Sequence, residues 1–394
     1  MQIYTAAMII QSEQTTPHSL INALKLWWNP VCLSSAFHKK LNQGNKMANK
    51  LQSLIVTAII FLSAQATYAD SRVKAIQQKL SELGYQPGVA DGIWGKNSEA
   101  ALNQFLSSKG LTFDGKIDTN ELELLEIFSF KYNIDDSLPV AWIDEFKNIM
   151  GILQEVLPVD ENFNKYVKNF TMNIYAWNGK VKNPFTEKQG MSGASISGDG
   201  RTRWMVLEIP ENEFKYDSLH RYSVIVHEYF HIYQIGLSKD RMDPKWLNEG
   251  GAKVLEEMFV QQYYGRSSLQ GDFERAELWS DEVFTNPKLY EKFETSSKET
   301  ADGWMDMNYA GSAFIFLTLV NELQKQSISE QEAFKLVFRD FWIEKSNESN
   351  WEKAFEKTFN INIETFYKRL SEYSRKDIKK ILPSKSLKIQ NIFN

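Results

Sequence analysis

The stretch VIVHEYFHIYQIG, residues 224–236, limits the fold of this chain most, because it sets two histidines and a glutamate in an apolar helix. At 3.6 residues per turn, His227 and His231 project from one face of that helix, one turn apart. The residues around them are apolar on all sides, so we expect the helix to be central and buried. Unpaired buried charge is costly, and a metal ion bound by both imidazoles removes that cost.

Glu228 lies next to the first histidine and completes the HExxH arrangement found in zinc proteases. There we expect Glu228 to act as the general base towards the attacking water. Catalytic zinc takes three ligands from the protein. The metzincin pattern requires a glycine and a histidine where this chain has Gln234 and Leu237, and no histidine follows His231. The third ligand must therefore be a carboxylate.

A second predicted helix offers that carboxylate, in the stretch DPKWLNEGGAKVLEE at residues 243–257. Asp243 and Pro244 form a cap and first-turn pair, and Gly265 would end the helix. Glu249 lies in its second turn, and we expect it to be the third metal ligand. The two glycines that follow are poor helix formers, which indicates close approach of another helix or of the metal.

The run WLNEGGA resembles the third-ligand motif of gluzincins, the zinc peptidases with two histidines and one glutamate, and most closely that of the membrane-type aminopeptidases. The resemblance implies that His227, His231 and Glu249 bind Zn²⁺. Glu256 matches a carboxylate common in that family, which would support a ligand from outside the coordination sphere. Tyr309, in MNYAGSAFIFLTLV, matches a downstream tyrosine and would stabilise the oxyanion, with a core aromatic at a helix start as the alternative.

The chain also departs from these families. Seventeen residues separate His231 from Glu249, one fewer than is usual in those aminopeptidases. Thermolysin-like enzymes carry an aspartate where this chain has Lys253, so the support for a histidine must come from elsewhere. GMSGASISGDG, residues 190–200, stands in the place of the GAMEN-type segment that reads a free amino terminus. These departures argue against aminopeptidase activity and leave endopeptidase or other peptidase activity open.

The stretch RWMVLEI, residues 203–209, alternates in polarity and is rich in β-forming residues. We expect an edge strand there, because alternation is typical of a half-buried strand. In zincins such a strand pairs with the extended backbone of a substrate. The alternative is a plain sheet edge.

Residues 71–127 predict three short helices separated by turns rich in glycine. The first ends at Gly84, the second is capped by Ser98, and the third begins near Asp118. The segments VKAIQQKLSELGY, DGIWG and SEAALNQF, with the later Asp-Gly pair, resemble the peptidoglycan-binding module of bacterial wall enzymes. The resemblance implies peptidoglycan as a partner, and a structural spacer is the alternative.

The N-terminal residues predict export. Met47 opens MANKLQSLIVTAIIFLSAQATYAD, with a basic start, an apolar middle too short to span a membrane, and small residues at its end. Removal of residues 1–69 takes five lysines and one acid from totals of 45 and 50, which leaves 40 basic and 49 acidic side chains. Such an acidic protein argues against nucleic acid as a partner. The only cysteine, Cys32, precedes Met47, so disulfides are not expected.

Together these features predict an α+β protein, in which a three-helix module precedes a zincin-like domain with a mixed sheet, an active-site helix and a mainly helical C-terminal part. We expect a periplasmic or extracellular zinc peptidase without a stable membrane anchor. The alternatives are a wall-binding protein without catalysis and a hydrolase of peptidoglycan stem peptides. The expected segments are an extension at 1–46, a signal peptide at 47–69, the module at 70–128, a linker at 129–140, the peptidase domain at 141–380 and a tail at 381–394.

Overall fold

The computed structural model of the protein describes residues 72–186, 193–279, 294 and 307–393. The predicted extension and signal peptide, residues 1–69, lie outside these ranges. The fold is α+β, with a small mixed sheet of four strands and mainly helical content. Within the described ranges, no helix has the length and apolar character needed to cross a membrane.

The first three helices form a small unit with its own hydrophobic core. Helix α1 covers residues 72–82, α2 covers Lys96–Ser108 and α3 covers Thr119–Leu124. Their buried apolar side chains are Ile76, Leu80, Ala101, Leu102, Phe105, Leu106, Leu122 and Leu125. Helix α3 begins where the sequence predicts it, with a capping box. The Asp118 side chain accepts a hydrogen bond from the backbone of the first turn, and the Glu121 side chain accepts one from the Asp118 backbone N–H.

Ser98 does not cap α2, contrary to our expectation. The helix begins one turn earlier, with Gly95 at the cap position. The Ser98 hydroxyl is buried, accepts a hydrogen bond from Gln77 Nε2 at 3.0 Å and donates one to the Pro87 carbonyl at 3.2 Å. It therefore joins α1 to the turn before α2 and satisfies no free N–H of the helix end.

The sheet contains β1 (Ser129–Ile134), β2 (Thr171–Asn178), β3 (Ala194–Gly198) and β4 (Arg203–Ile209). The strand order is β1-β2-β4-β3, with β1, β2 and β4 parallel and β3 antiparallel to β4. Strand β1 lies inside the stretch that we expected to be a linker. The turn-forming residues that suggest a linker, Asp135, Asp136, Ser137 and Pro139, follow the strand.

Strand β4 has the bounds that the alternation predicts, but it is not an edge. It pairs with β2 on one side and with β3 on the other. Its alternate residues Met205, Leu207 and Ile209 face the core and are buried. The edge beside β4 is the antiparallel strand β3, from the stretch at residues 190–200.

The remaining residues that the structure describes are mainly helical and surround one large core. Helices α4 to α8 cover Val140–Val156, Glu211–Lys215, His220–Ser238, Lys245–Tyr264 and Leu269–Trp279. After a π-helical turn at Met307–Gly311, helices α9 to α11 cover Ser312–Lys325, Glu330–Lys335 and Phe341–Asn347, with a second π-helical turn at Leu336–Asp340. Helices α12 to α15 cover Trp351–Phe359, Ile363–Leu370, Ile378–Ile381 and Ile389–Phe393. Short 3₁₀ turns lie at Glu161–Tyr166 and Arg375–Asp377.

Helix α6 is the centre of this core, as its apolar sequence predicts. Fifteen of its 19 residues are buried, and it contacts α4, α7, α11 and β3. The sequence predicts a cap at Asp217 or Ser218 and an end at Gly236 for this helix, whereas the helix begins at His220. It passes through Gly236, which lies against Asp160, and ends at Ser238, followed by Lys239 in the left-handed conformation.

Candidate metal centre

Two imidazoles meet on the buried face of α6. His227 and His231 are separated by one helical turn, and their ring centroids lie 4.9 Å apart with the rings nearly perpendicular. Their side chains are 8% and 12% exposed. The apolar residues on the other faces of α6 fix its position against the sheet and α7, so the two rings project into one place.

Helix α7 brings a carboxylate to the same place, and its two glycines permit the approach. A Cβ at Gly250 would lie 2.3 Å from the Ser312 carbonyl oxygen, so only glycine lets α7 pack this closely on α9. A Cβ at Gly251 would lie 3.0 Å from the Phe230 ring on α6. The prediction that these glycines mark close helix packing is confirmed.

The three predicted ligands converge. Glu249 Oε2 lies 3.3 Å from His227 Nε2 and 3.5 Å from His231 Nε2. One ligand atom from each residue lies within 4.8 Å of the others. Within the described ranges, no other group of histidine, cysteine, aspartate and glutamate side chains has this geometry. Two imidazole nitrogens and one carboxylate oxygen are a donor set typical of catalytic zinc, and the residues therefore fit such an ion.

Each histidine also forms a hydrogen bond through Nδ1, the ring nitrogen that does not face Glu249. His227 Nδ1 lies 3.1 Å from Glu256 Oε2, so the carboxylate accepts its proton and Nε2 faces Glu249. Gln234 Oε1 lies 2.8 Å from both His231 Nδ1 and Asn248 Nδ2, and it accepts a hydrogen bond from each. With Nδ1 bonded to these acceptors, both Nε2 atoms face Glu249, where they can bind a cation once they have lost their protons.

The electrostatics of the cluster favour a positive charge at its centre. Burial would lower the pKa of His227, but hydrogen bonds to Glu249 and Glu256 outweigh it and raise the pKa to about 10. Burial would raise the pKa of Glu249, but His231 and His227 hold it well below its usual range. The surrounding carboxylates thus stabilise a cation among the three predicted ligands.

Glu228 is buried beside this cluster. Burial raises the pKa of its carboxyl, and the nearby His227 and His231 partly oppose that shift. A raised pKa makes the carboxylate a better proton acceptor, which suits the predicted role of general base.

Tyr309 lies beside His227, with the two ring centroids 5.7 Å apart. It belongs to the π-helical turn before α9, and 46% of its surface is exposed. Burial, together with the charges of Glu249 and Glu228, raises its pKa to about 12. The phenol therefore keeps its proton at neutral pH and can donate a hydrogen bond to a group at the cluster.

Two supporting residues were not predicted from the sequence. Gln234 and Asn248 orient His231, although we used Gln234 only to exclude one ligand pattern. A fully buried amide, three residues after a histidine on an otherwise apolar helix, is the signal that could have identified Gln234. His220 stays outside the cluster, since its Nδ1 pairs with Glu213 at 2.8 Å.

Comparison with known proteins identifies the N-terminal unit. Residues 69–125 match the model of the family described as "Putative peptidoglycan binding domain". This segment is a peptidoglycan-binding domain. The resemblance predicted for the module is thereby confirmed. Neither the comparison with curated proteins nor that with solved structures gave a match.

A buried amide organises the turn of the peptidoglycan-binding domain. Gln77 on α1 is 1% exposed. Its Nε2 donates to the Ile93 carbonyl at 3.1 Å, and its Oε1 accepts from Gly92 N at 2.9 Å. These hydrogen bonds fix the DGIWG turn from its buried side, and the Ile93 side chain is exposed at the surface. The domain supports association of the protein with the cell wall.

Proposed function

We propose that the protein is an exported, zinc-dependent metallopeptidase of the gluzincin type, retained at the cell wall by its peptidoglycan-binding domain. The convergence of His227, His231 and Glu249 carries the proposal, because their ligand atoms lie within 4.8 Å in a buried place. A hydrogen bond at Nδ1 also orients each imidazole so that its Nε2 faces Glu249.

The residues of the cluster suit the hydrolysis of a peptide bond. Zinc, when bound, supplies a Lewis acid that polarises a carbonyl and lowers the pKa of water. Glu228 takes the proton of the attacking water, because its buried carboxylate has a raised pKa. Tyr309 donates a hydrogen bond to the oxygen on which negative charge develops.

The substrate backbone pairs, in this proposal, with strand β3. This strand is an edge of the sheet beside β4, and it contacts α6, which carries the two histidines. An edge strand offers free backbone groups to an extended peptide, so strand addition aligns a peptide along the cluster. The role that we expected for β4 therefore passes to β3.

A second candidate narrows the substrate to the stem peptides of peptidoglycan. The family match at residues 69–125 favours it, because a domain that binds the wall brings the cluster close to these peptides. In this case the wall is both the anchor and the substrate.

The test measures zinc content and peptide hydrolysis of the full chain and of Glu228→Gln. We expect both proteins to hold zinc and only the wild type to cleave peptides. Glu356→Gln, which changes an exposed glutamate on α12, serves as the control and should behave as the wild type. Full activity of Glu228→Gln would contradict the proposed mechanism. Cleavage of isolated stem peptides but not of unstructured proteins would select the second candidate.

A further inference from the structure

Lys253 occupies the position at which thermolysin-like enzymes carry an aspartate, and it lies in a cluster of acids. Its Nζ is 2.7 Å from Glu256 Oε1, 2.9 Å from Glu257 Oε1 and 3.3 Å from Asp272 Oδ2. The lysine side chain is only 13% exposed. A buried ammonium shared by three carboxylates is held in one place, because each acid limits its movement.

Glu256 connects this lysine to the candidate metal centre. Its Oε2 accepts the His227 Nδ1 proton at 3.1 Å, whereas its Oε1 accepts from Lys253 at 2.7 Å. The carboxylate is 3% exposed. Since both oxygens are used, the orientation of the carboxylate, and with it that of the His227 ring, depends on the position of Lys253.

The far side of Lys253 is fixed by the turn between α7 and α8. Glu257 Oε2 accepts hydrogen bonds from Ser267 Oγ at 2.9 Å and from the Ser268 backbone N–H at 2.6 Å. Asp272, on α8, pairs with Arg275 as well. Glu257 and Asp272, which are not among the three predicted ligands, therefore anchor the lysine on this side.

We propose that Lys253 is a positioning residue for the metal centre, which holds Glu256 so that His227 presents Nε2 to the ion. The inference rests on the proposed function, because it concerns the same zinc site. It explains why the chain tolerates a lysine where the related pattern has an acid. The carboxylate that contacts His227 belongs instead to Glu256, and Lys253 supplies the positive charge that balances this carboxylate.

The experiment compares zinc affinity of the full-length wild type and Lys253→Met, measured by competition with a chromophoric chelator. We expect the variant to bind zinc about 10–100-fold more weakly, which is the usual effect of losing a group behind a ligand. The absorption spectrum of the Co²⁺-substituted variant should also shift, because the field of the His227 ligand changes. Lys253→Arg, which keeps the charge, should restore most of the affinity.

Lys325→Met is a matched control. Lys325 also pairs with a buried glutamate three residues away, at 2.7 Å from Glu322 Oε1, but lies on α9 away from the cluster. Its loss should leave zinc affinity and the Co²⁺ spectrum unchanged. If Lys253→Met does not fold, Lys253→Gln, which keeps a hydrogen-bond donor and removes the charge, takes its place and should also bind zinc more weakly than the wild type.

The outcomes separate the inference from the proposed function. A wild type that binds zinc tightly, with a Lys253→Met or Lys253→Gln variant of equal affinity, overturns the role of Lys253 alone. A wild type that holds no zinc overturns both the inference and the peptidase proposal.

Discussion

At the scale of single residues, part of the candidate metal site could be predicted from local sequence patterns. The four-residue spacing of His227 and His231 fixes them on one face of a helix in any context. Elimination required only a carboxylate as third ligand, and the resemblance of WLNEGGA to the gluzincin motif indicated Glu249. Gln234 could be recognised only as an amide three residues after a histidine on an apolar helix, and Asn248 could not be predicted, because its contact with His231 depends on how α6 and α7 pack together.

Tyr309 offers a residue-scale prediction about the transition state. Replacing it with phenylalanine removes the phenol proton donor and keeps the ring beside His227. We expect kcat for peptide hydrolysis to fall by about 10²–10³-fold with little change in KM, as for the loss of one oxyanion donor. Steady-state kinetics measure this effect, and unchanged zinc content shows that the site is intact. A Tyr309→Phe enzyme with wild-type kcat would leave Tyr309 without this role.

At the scale of helices and strands, the sequence predicted the bounds of β4 and the start of α3, but it missed the ends of α6 and the order of the strands. The alternation of residues 203–209 gave the bounds of β4, because side-chain alternation is local. It could not show that β3 pairs on its outer side, since strand order depends on contacts distant in the chain. Gly236 is a similar case, because this glycine permits close contact with Asp160 and does not end the helix.

Gly250 gives an element-scale prediction about stability. Substitution with alanine places a Cβ 2.3 Å from the Ser312 carbonyl oxygen, so α7 and α9 must separate. We expect a loss of about 1–3 kcal/mol in the free energy of unfolding, the usual cost of overpacking. Denaturant titration measures the loss.

The control for that variant is Gly271→Ala in α8. A Cβ there meets only the end of the flexible Arg275 side chain, at 3.6 Å. We expect no loss of stability and a gain of up to about 1 kcal/mol, because alanine favours helix more than glycine does. Equal losses from the two variants would contradict the account of the close contact between α7 and α9.

Glu322 on α9 gives a prediction about pH. It accepts hydrogen bonds from Lys325 and from the Tyr373 hydroxyl, at 2.7 and 2.6 Å, and from Arg369. Burial would raise the pKa of Glu322, but these partners outweigh it and lower the pKa below 4.5. The carboxylate therefore stabilises the folded state above pH 4.5, and this contribution disappears as the pH falls through the lowered pKa.

We expect the melting temperature of Glu322→Gln to lie below that of the wild type at pH 7. The difference should shrink as the pH falls below 4.5, because the wild-type carboxyl then becomes protonated. Thermal melts of both proteins across this range measure it. A difference that is independent of pH would show that the charge of Glu322 makes no contribution.

At the scale of the whole molecule, the chain joins a peptidoglycan-binding domain to a larger unit with its own core. Retention on the wall should depend on the domain and not on the metal centre. We expect the full-length Glu228→Gln variant to sediment with insoluble peptidoglycan, and Gln77→Ala, which releases the DGIWG turn, to sediment less. Equal sedimentation of both variants would exclude this turn from binding.

The central claim is that His227, His231 and Glu249 form one zinc site. Its most direct test is the zinc content of the purified full-length protein, measured by mass spectrometry of the metal after dialysis, beside that of Glu249→Ala. We predict one zinc ion per wild-type chain and a loss of most of it in the variant, because a buried ligand is gone. A wild-type chain without zinc, or a variant that keeps its full content, would contradict the claim.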